Sequence, residues 1–152
     1  WKDNILPTDD SIRDEKQWSV EIKYLNNDNS DISDDIKSLP TDTGGVYVFF
    51  LKGINLPFLE NHILYIGRCK HTQAQNIRKR ALEYFIDTKR VMIKKMFRLW
   101  SSHLFYRYFP NTNNDWIDKT EAILIRSILP PLNEKIPDKV NIQATVPAFD
   151  NN

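Results

Sequence analysis

Several residues of this chain sit where packing alone would not put them, and each brings its own chemistry. When residues 116–129 are wound at about 100° per residue, Glu121 falls among Ile117, Leu124, Ile125 and Ile128. A carboxylate on an apolar face must be ion-paired, protonated or bound to a cation, because burying it bare is costly. A structural pair with a neighbouring arginine and a metal-binding or catalytic role both meet that demand, and spacing does not choose between them. Arg80 and Tyr84, four apart, are neighbours on a helix surface beside the stripe of Ile77, Ala81 and Phe85. A guanidinium next to a phenol at the rim of a core can grip a phosphate oxygen. The commoner structural explanation is an arginine stem lying on a ring. Tyr47 and Tyr65 stand in apolar runs, where a tyrosine ordinarily buries its ring and wets its hydroxyl. Gly67 would let backbone come close to a ligand. Asn133 is held in place by Pro130-Pro131-Leu132, although a loop asparagine is most often a turn residue.

The elements that must position these groups follow from periodicity. Val46-Tyr47-Val48-Phe49-Phe50-Leu51 and Ile63-Leu64-Tyr65-Ile66 are β-branched and aromatic runs, read as buried strands. A short connection makes them an antiparallel pair. Trp18 to Leu25 alternates well enough for a strand or edge segment, and Asn26 to Asp35 reads as a loop. Strands are expected near 45–51, 63–67 and 103–109, and helices near 74–86, 89–100 and 115–129. The expected fold is a small α/β domain, with a three-stranded, mainly antiparallel sheet flanked by helices. Residues 1–38 read as an acidic N-terminal extension, 39–135 as the working domain and 136–152 as a tail.

The chain has 152 residues, about one domain. Its 41% hydrophobic and 12% aromatic content argues for a packed core and against disorder. A single cysteine, Cys69, excludes an internal disulfide and any thiolate cage, which favours a reducing, cytoplasmic setting. No run is long enough to span a membrane and no signal-peptide core opens the chain. The start at Trp1 rather than Met leads to the expectation of a piece of a longer, multidomain chain. Charge is uneven. Residues 1–44 carry eleven acids and five bases, whereas residues 68–109 carry eleven bases and two acids. Such a segment suits a polyanion; a solvated basic face, or one that docks an acidic partner, is the simpler account.

Taken in order, these residues resemble the GIY-YIG nuclease superfamily. Gly45-Val46-Tyr47, approached through Leu39-Pro40, is similar to its first motif, and Tyr65-Ile66-Gly67 matches the second. Ile77-Arg78-Lys79-Arg80-Ala81-Leu82-Glu83-Tyr84-Phe85 resembles the arginine helix. There the catalytic arginine falls on Arg80 rather than Arg78, which lies farther from Tyr84 on the helical wheel. Thr120-Glu121-Ala122-Ile123-Leu124-Ile125 is similar to the helix with the metal-binding glutamate, and Pro130-Pro131-Leu132-Asn133 to the closing asparagine motif. The resemblance spans residues 39–133, with longer Tyr47–Tyr65 and Tyr65–Arg80 intervals than usual.

The resemblance implies a divalent-metal-dependent endonuclease acting on DNA, in restriction or phage defence. Glu121 would hold Mg2+ or Mn2+, a hard cation that needs few protein ligands. Arg80 would stabilise the phosphoryl oxygens, and Tyr47 would serve as general base or position the water. Tyr65 and Tyr84 would bind phosphate or complete a proton relay, and Asn133 would hold a backbone or phosphate contact. Gly67, Arg68, Lys70, Arg78, Lys79, Lys94 and Lys95 would meet nucleic acid. Double-strand cleavage would suit a homodimer. The competing readings are a nucleic-acid-binding module with weak or no catalysis, and a repair or mobile-element nuclease domain.

Overall fold

The computed structural model describes residues 10–137 apart from Pro57 and Thr88. The polar lead-in before residue 10 and the tail from residue 138 lie outside the described residues. In chain order the elements are β1 (Ile22–Lys23), α1 (Asp34–Lys37), β2 (Gly44–Leu51), β3 (Ile63–Cys69), α2 (Ile77–Ile86), α3 (Val91–Trp100), β4 (Leu104–Asn111) and α4 (Asn114–Ile128). Short 3-10 turns lie at Asp10–Arg13, Glu15–Gln17 and Ser101–His103.

The described strands form one antiparallel sheet in the order β1-β4-β2-β3. This corrects the expected three strands to four. The additional strand is β1, whose rungs are Ile22 opposite Tyr106 and Lys23 opposite Phe105. It falls inside the alternating stretch Trp18 to Leu25, read as a strand or edge segment but not counted in the sheet, and it pairs with the open edge of β4. Flanking bonds extend the pairing, from Ser19 N–H to Tyr108 O at 2.8 Å and from Tyr24 N–H to Leu104 O at 3.0 Å. The stretch read as a loop is corrected as well. Its last two residues open α1, a single turn capped by Ser33, whose hydroxyl accepts from Ile36 N–H at 3.3 Å.

All eight residues of β2 are buried, because β3 and β4 flank it and helices cover both faces. Alternation sends Tyr47, Phe49 and Leu51 to a core shared with Ile36, Ile77, Ala81, Tyr84, Ile93 and Met96. It sends Val46, Val48 and Phe50 to a second core with Ile117, Leu124 and Ile125 of α4. Each fully buried side chain of this size contributes roughly 1.5–3 kcal/mol. The segment before residue 39 shares both cores, through Tyr24 and Ile36 on one side and Ile12 on the other.

Gly45 is required where β2 begins. Its φ is +146°, and a Cβ there would stand in the Phe109 carbonyl of β4. Two caps fix the helices that matter for the site. Asn76 accepts from Lys79 N–H at 3.0 Å, and Ile77 N–H donates to Thr43 O at 3.0 Å, so α2 starts docked beside β2. Asn113 accepts from Asp115 and Trp116 N–H, each at 3.1 Å, and sets the start of α4 two turns before Glu121.

Candidate active site beside the edge strand

Strand β3 is an edge of the sheet, and side chains from helices on either face line a cleft beside it. Tyr65, Arg68, Lys70, Arg80 and Glu121 line one cleft there, of about 400 Å³. Arg80 comes from the α2 side and Glu121 from the α4 side, so groups separated by the whole sheet elsewhere face a common space at its margin. A second hollow, about 360 Å³, lies on the α4 face around Trp18, Phe50 and Ile128 and holds none of the candidate residues.

On the α2 side the hydroxyls form a chain. Tyr47 and Tyr84 share a short hydrogen bond, and the Tyr84 hydroxyl donates to that of Tyr65 at 3.4 Å. Arg80 Nε donates to the Tyr47 hydroxyl at 3.2 Å, and Arg80 Nη1 pairs with Glu83 at 3.0 Å. Tyr47 and Tyr84 are fully buried, while Tyr65 reaches the cleft. Burial pushes the Tyr47 phenol well above its ordinary range, Tyr84 adds to this, and Arg80 pulls the other way. A phenol in that position stays protonated at neutral pH and accepts from Arg80; the general-base role would need a metal ion or a second base to draw off its proton. Burial also opposes the charge on Arg80, but the hydrogen bonds to the Tyr47 hydroxyl and the Glu83 carboxylate outweigh it and keep the guanidinium charged.

Gly67 has a packing reason of its own. It sits opposite Tyr47, and a Cβ on it would come within 2.5–2.7 Å of the Tyr47 ring and hydroxyl. The missing side chain makes room for the tyrosine ring. Asn133 is likewise a backbone clamp. Its Nδ2 donates to Ile66 O at 2.8 Å and its Oδ1 accepts from Ile66 N–H at 2.9 Å, as a neighbouring strand would. Leu132 N–H adds a bond to Leu64 O at 3.0 Å. Asn133 therefore positions β3 and does not line the cleft.

On the α4 side Glu121 forms a short ion pair with Arg68, whose Nε also meets Asp118 at 3.0 Å. Lys70 pairs with Asp118 at 2.7 Å. The structural account of Glu121, a partner arginine, is thus realised. Burial nevertheless raises the Glu121 pKa, with Arg68 opposing but not cancelling the effect. Among the described residues no three acidic, imidazole or thiol groups could cage a metal ion. A hard divalent cation does not need such a cage; it takes oxygen donors, keeps several waters and accepts phosphate oxygens. The donor set fits that mode. A desolvated carboxylate stands on the cleft wall, and Arg68 supplies the positive charge that a cation would also supply.

The remaining basic candidates divide. Arg68 and Lys70 line the cleft but are held by acids of α4. Arg78 turns away, donating from Nε to Leu39 O at 2.6 Å, and Lys79 donates to Ala74 O at 2.7 Å. Lys94 and Lys95 lie exposed on α3, outside the cleft. Three participants do not stand out in the sequence. Asp118 and Glu83 lie three residues from Glu121 and Arg80, a helical spacing that could have signalled both. Arg90, whose guanidinium lies 4.7 Å from the Tyr84 ring centroid, precedes α3 and offers no periodic signal. Comparison of the chain with family models, with curated proteins and with solved structures finds no match in any of the three.

Proposed function

We propose that this chain is a divalent-metal-dependent endonuclease that hydrolyses phosphodiester bonds in DNA, acting in restriction or defence. One observation carries the reading: Tyr65 and Arg80 face Glu121 across a single cleft, with Tyr47 and Tyr84 behind Arg80 in one hydrogen-bonded chain. These groups come from β2, β3, α2 and α4, and packing alone gives no reason for them to meet. Their order in the chain is the one that resembles GIY-YIG nucleases.

In this reading Arg80 meets the phosphoryl oxygens, where charge grows as water attacks phosphorus and the bond to the leaving oxygen breaks. The Tyr47–Tyr84 pair holds the guanidinium in place before substrate arrives, so no reorganisation is needed at the reacting step. Tyr65, protonated and at the cleft wall, donates to a phosphate oxygen. Burial pushes its pKa up and Tyr84 adds to this, which suits a donor. Glu121 would hold Mg2+ or Mn2+, which lowers the pKa of bound water and offsets phosphate charge. Arg68 and Lys70 then exchange carboxylate partners for the nucleic-acid backbone.

The Arg68–Glu121 pair also favours a second reading, a nucleic-acid-binding module that does not cut, because the carboxylate already has a counter-ion. Incubation with plasmid and with single-stranded DNA, with Mg2+, with Mn2+ and with chelator, separates the two. The nuclease reading expects metal-dependent cleavage by the wild type, abolished in Glu121→Gln, while salt-sensitive retardation of DNA in a gel persists in both. Retardation without cleavage under any metal would establish the binding module.

A further inference from the structure

Arg80 is not the only arginine built against Tyr84. Its guanidinium carbon lies 5.2 Å from the Tyr84 ring centroid, and that of Arg90 lies 4.7 Å from the same point. The construction is repeated. Arg80 is aimed by Glu83, three residues on, and Arg90 by Asp87, three residues back, through its Nε. Asp87 is itself fixed, accepting from Lys89 N–H at 2.9 Å and Arg90 N–H at 3.2 Å. Those backbone bonds, and then the Arg90 side chain, hold the Asp87 carboxyl down at about 2, so it stays ionised at any working pH. Burial disfavours the charge on Arg90, but its hydrogen bonds to the Asp87 carboxylate and to Tyr84 outweigh it. About a third of the Arg90 side chain remains exposed.

We infer that Arg90 is a second phosphate-binding residue, holding the phosphate next to the one that Arg80 meets. This rests on the nuclease reading and extends its cleft past Tyr65. The two guanidinium carbons can be no farther apart than their two ring distances together, just under 10 Å. Successive phosphates of one strand, spaced about 3.4 Å along the helix axis, fit within that span. With Nε committed to Asp87 and a further side-chain hydrogen bond to Tyr84, the exposed third of the Arg90 side chain is the edge left for a ligand, and the guanidinium fork suits phosphate oxygens. The alternative is an arginine that merely packs on Tyr84.

Arg90→Met keeps the stem and its packing but removes the fork; Arg90→Lys keeps the charge. For Arg90→Met the expected result is about tenfold weaker DNA binding, with the loss in cleavage carried by KM more than by kcat. The slope of log affinity against log salt should fall by about one unit, as for one phosphate no longer neutralised. Arg90→Lys should recover most of that slope, and the thermal midpoint of both variants should stay near wild type. In a short duplex carrying one neutral methylphosphonate at each position in turn, one position that weakens the wild type should leave Arg90→Met unaffected. Unchanged affinity and slope in Arg90→Met, or a lower midpoint with an unchanged slope, would overturn the inference and leave the nuclease reading standing. A wild type that neither binds nor cuts DNA would remove both.

Discussion

The two faces of the sheet are packed in contrasting ways. Toward α2 and α3 the core is built from rings that carry hydroxyls: Tyr24, Tyr47, Tyr84 and Tyr106 are all fully buried. Toward α4 it is mainly aliphatic, with Val46, Val48, Ile66, Ile117, Leu124 and Ile125. A buried hydroxyl needs a partner, so the first face must be a network as well as a core. Tyr24 donates to Ala81 O at 2.6 Å, and the Tyr47–Tyr84–Tyr65 chain ends on Arg80. Among the described residues the Tyr106 hydroxyl finds no hydrogen-bond partner, and burial pushes its pKa well above the ordinary range. The α4 face asks for no such satisfaction and contributes a firm backing, with carboxylates only at its margin. The cleft forms where β3 ends the sheet, so that an arginine oriented by one face meets a carboxylate carried by the other.

That contrast predicts its largest effect at Arg80. Arg80→Ala should lower DNA cleavage about 100- to 1000-fold, the usual cost of losing a preorganised group that stabilises developing charge. Arg78→Ala breaks a bond to Leu39 O and should instead cost about 1–2 kcal/mol of stability. Plasmid nicking with Mg2+ and thermal unfolding, measured on both variants, check the pair. A reversed result would mean that the tyrosine network orients the wrong arginine.

Much of this division could be read in the chain. The runs around Tyr47 and Tyr65 announce strands, helical spacing ties Arg80 to Tyr84, and Glu121 stands out on an apolar face. What could not be read depends on interactions between distant segments. Arg68 and Glu121 are 53 residues apart and meet across a sheet edge, which no local pattern encodes. The partner of β1 is of the same kind: Trp18 to Leu25 reads as an edge segment, but nothing local says that Ile22 and Lys23 pair with Tyr106 and Phe105 of β4. Gly67 was legible as special but not for what; the Tyr47 ring that needs its space comes from the neighbouring strand.

Gly67 therefore offers the next test. Gly67→Ala forces a methyl into the Tyr47 ring, and overpacking of this kind costs about 1–3 kcal/mol. Because the displaced ring holds Arg80, cleavage should fall along with the denaturation midpoint. A neutral Gly67→Ala variant would mean that Tyr47 does not lie against β3 in solution, and the link between the tyrosine face and the cleft would disappear.

A smaller effect is expected outside the core. α3 exposes Lys94 and Lys95 on the tyrosine side, whereas α4 exposes Lys119. If DNA runs along the α3 side, replacing Lys94 and Lys95 by Ala should reduce the salt slope of binding by about one unit for each phosphate that these lysines neutralise. Lys119→Ala should leave the slope unchanged. Equal slopes in all these variants would put the partner elsewhere and remove the functional asymmetry between the two sides.

The smallest effect, and the one that separates burial from pairing on the α4 side, is the pH dependence of Glu121→Gln. Arg68 is well exposed and keeps Asp118 as a second partner, so losing the Glu121 charge strands no buried cation. The change in stability at neutral pH should stay within about 1 kcal/mol, because the cost of desolvating Glu121 offsets much of what its pair with Arg68 gains. Its sign with pH carries the information. Burial raises the folded-state pKa of Glu121 above that of the unfolded chain, where glutamate titrates near about 4.3. The wild type then binds that proton more tightly when folded. The resulting stabilisation is complete below the unfolded value and is lost as pH rises through the folded one. Relative to Glu121→Gln, the wild type should thus be more stable at acid pH than at neutral pH. Were the Arg68 pair dominant, the folded pKa would lie below the unfolded value and the difference would run the other way. Denaturant titrations of both proteins from neutral pH down through the carboxylate range read that sign directly. A wild type that gains on Glu121→Gln as pH rises would make Glu121 a satisfied half of an ion pair, with no unmet charge left to draw a cation into the cleft.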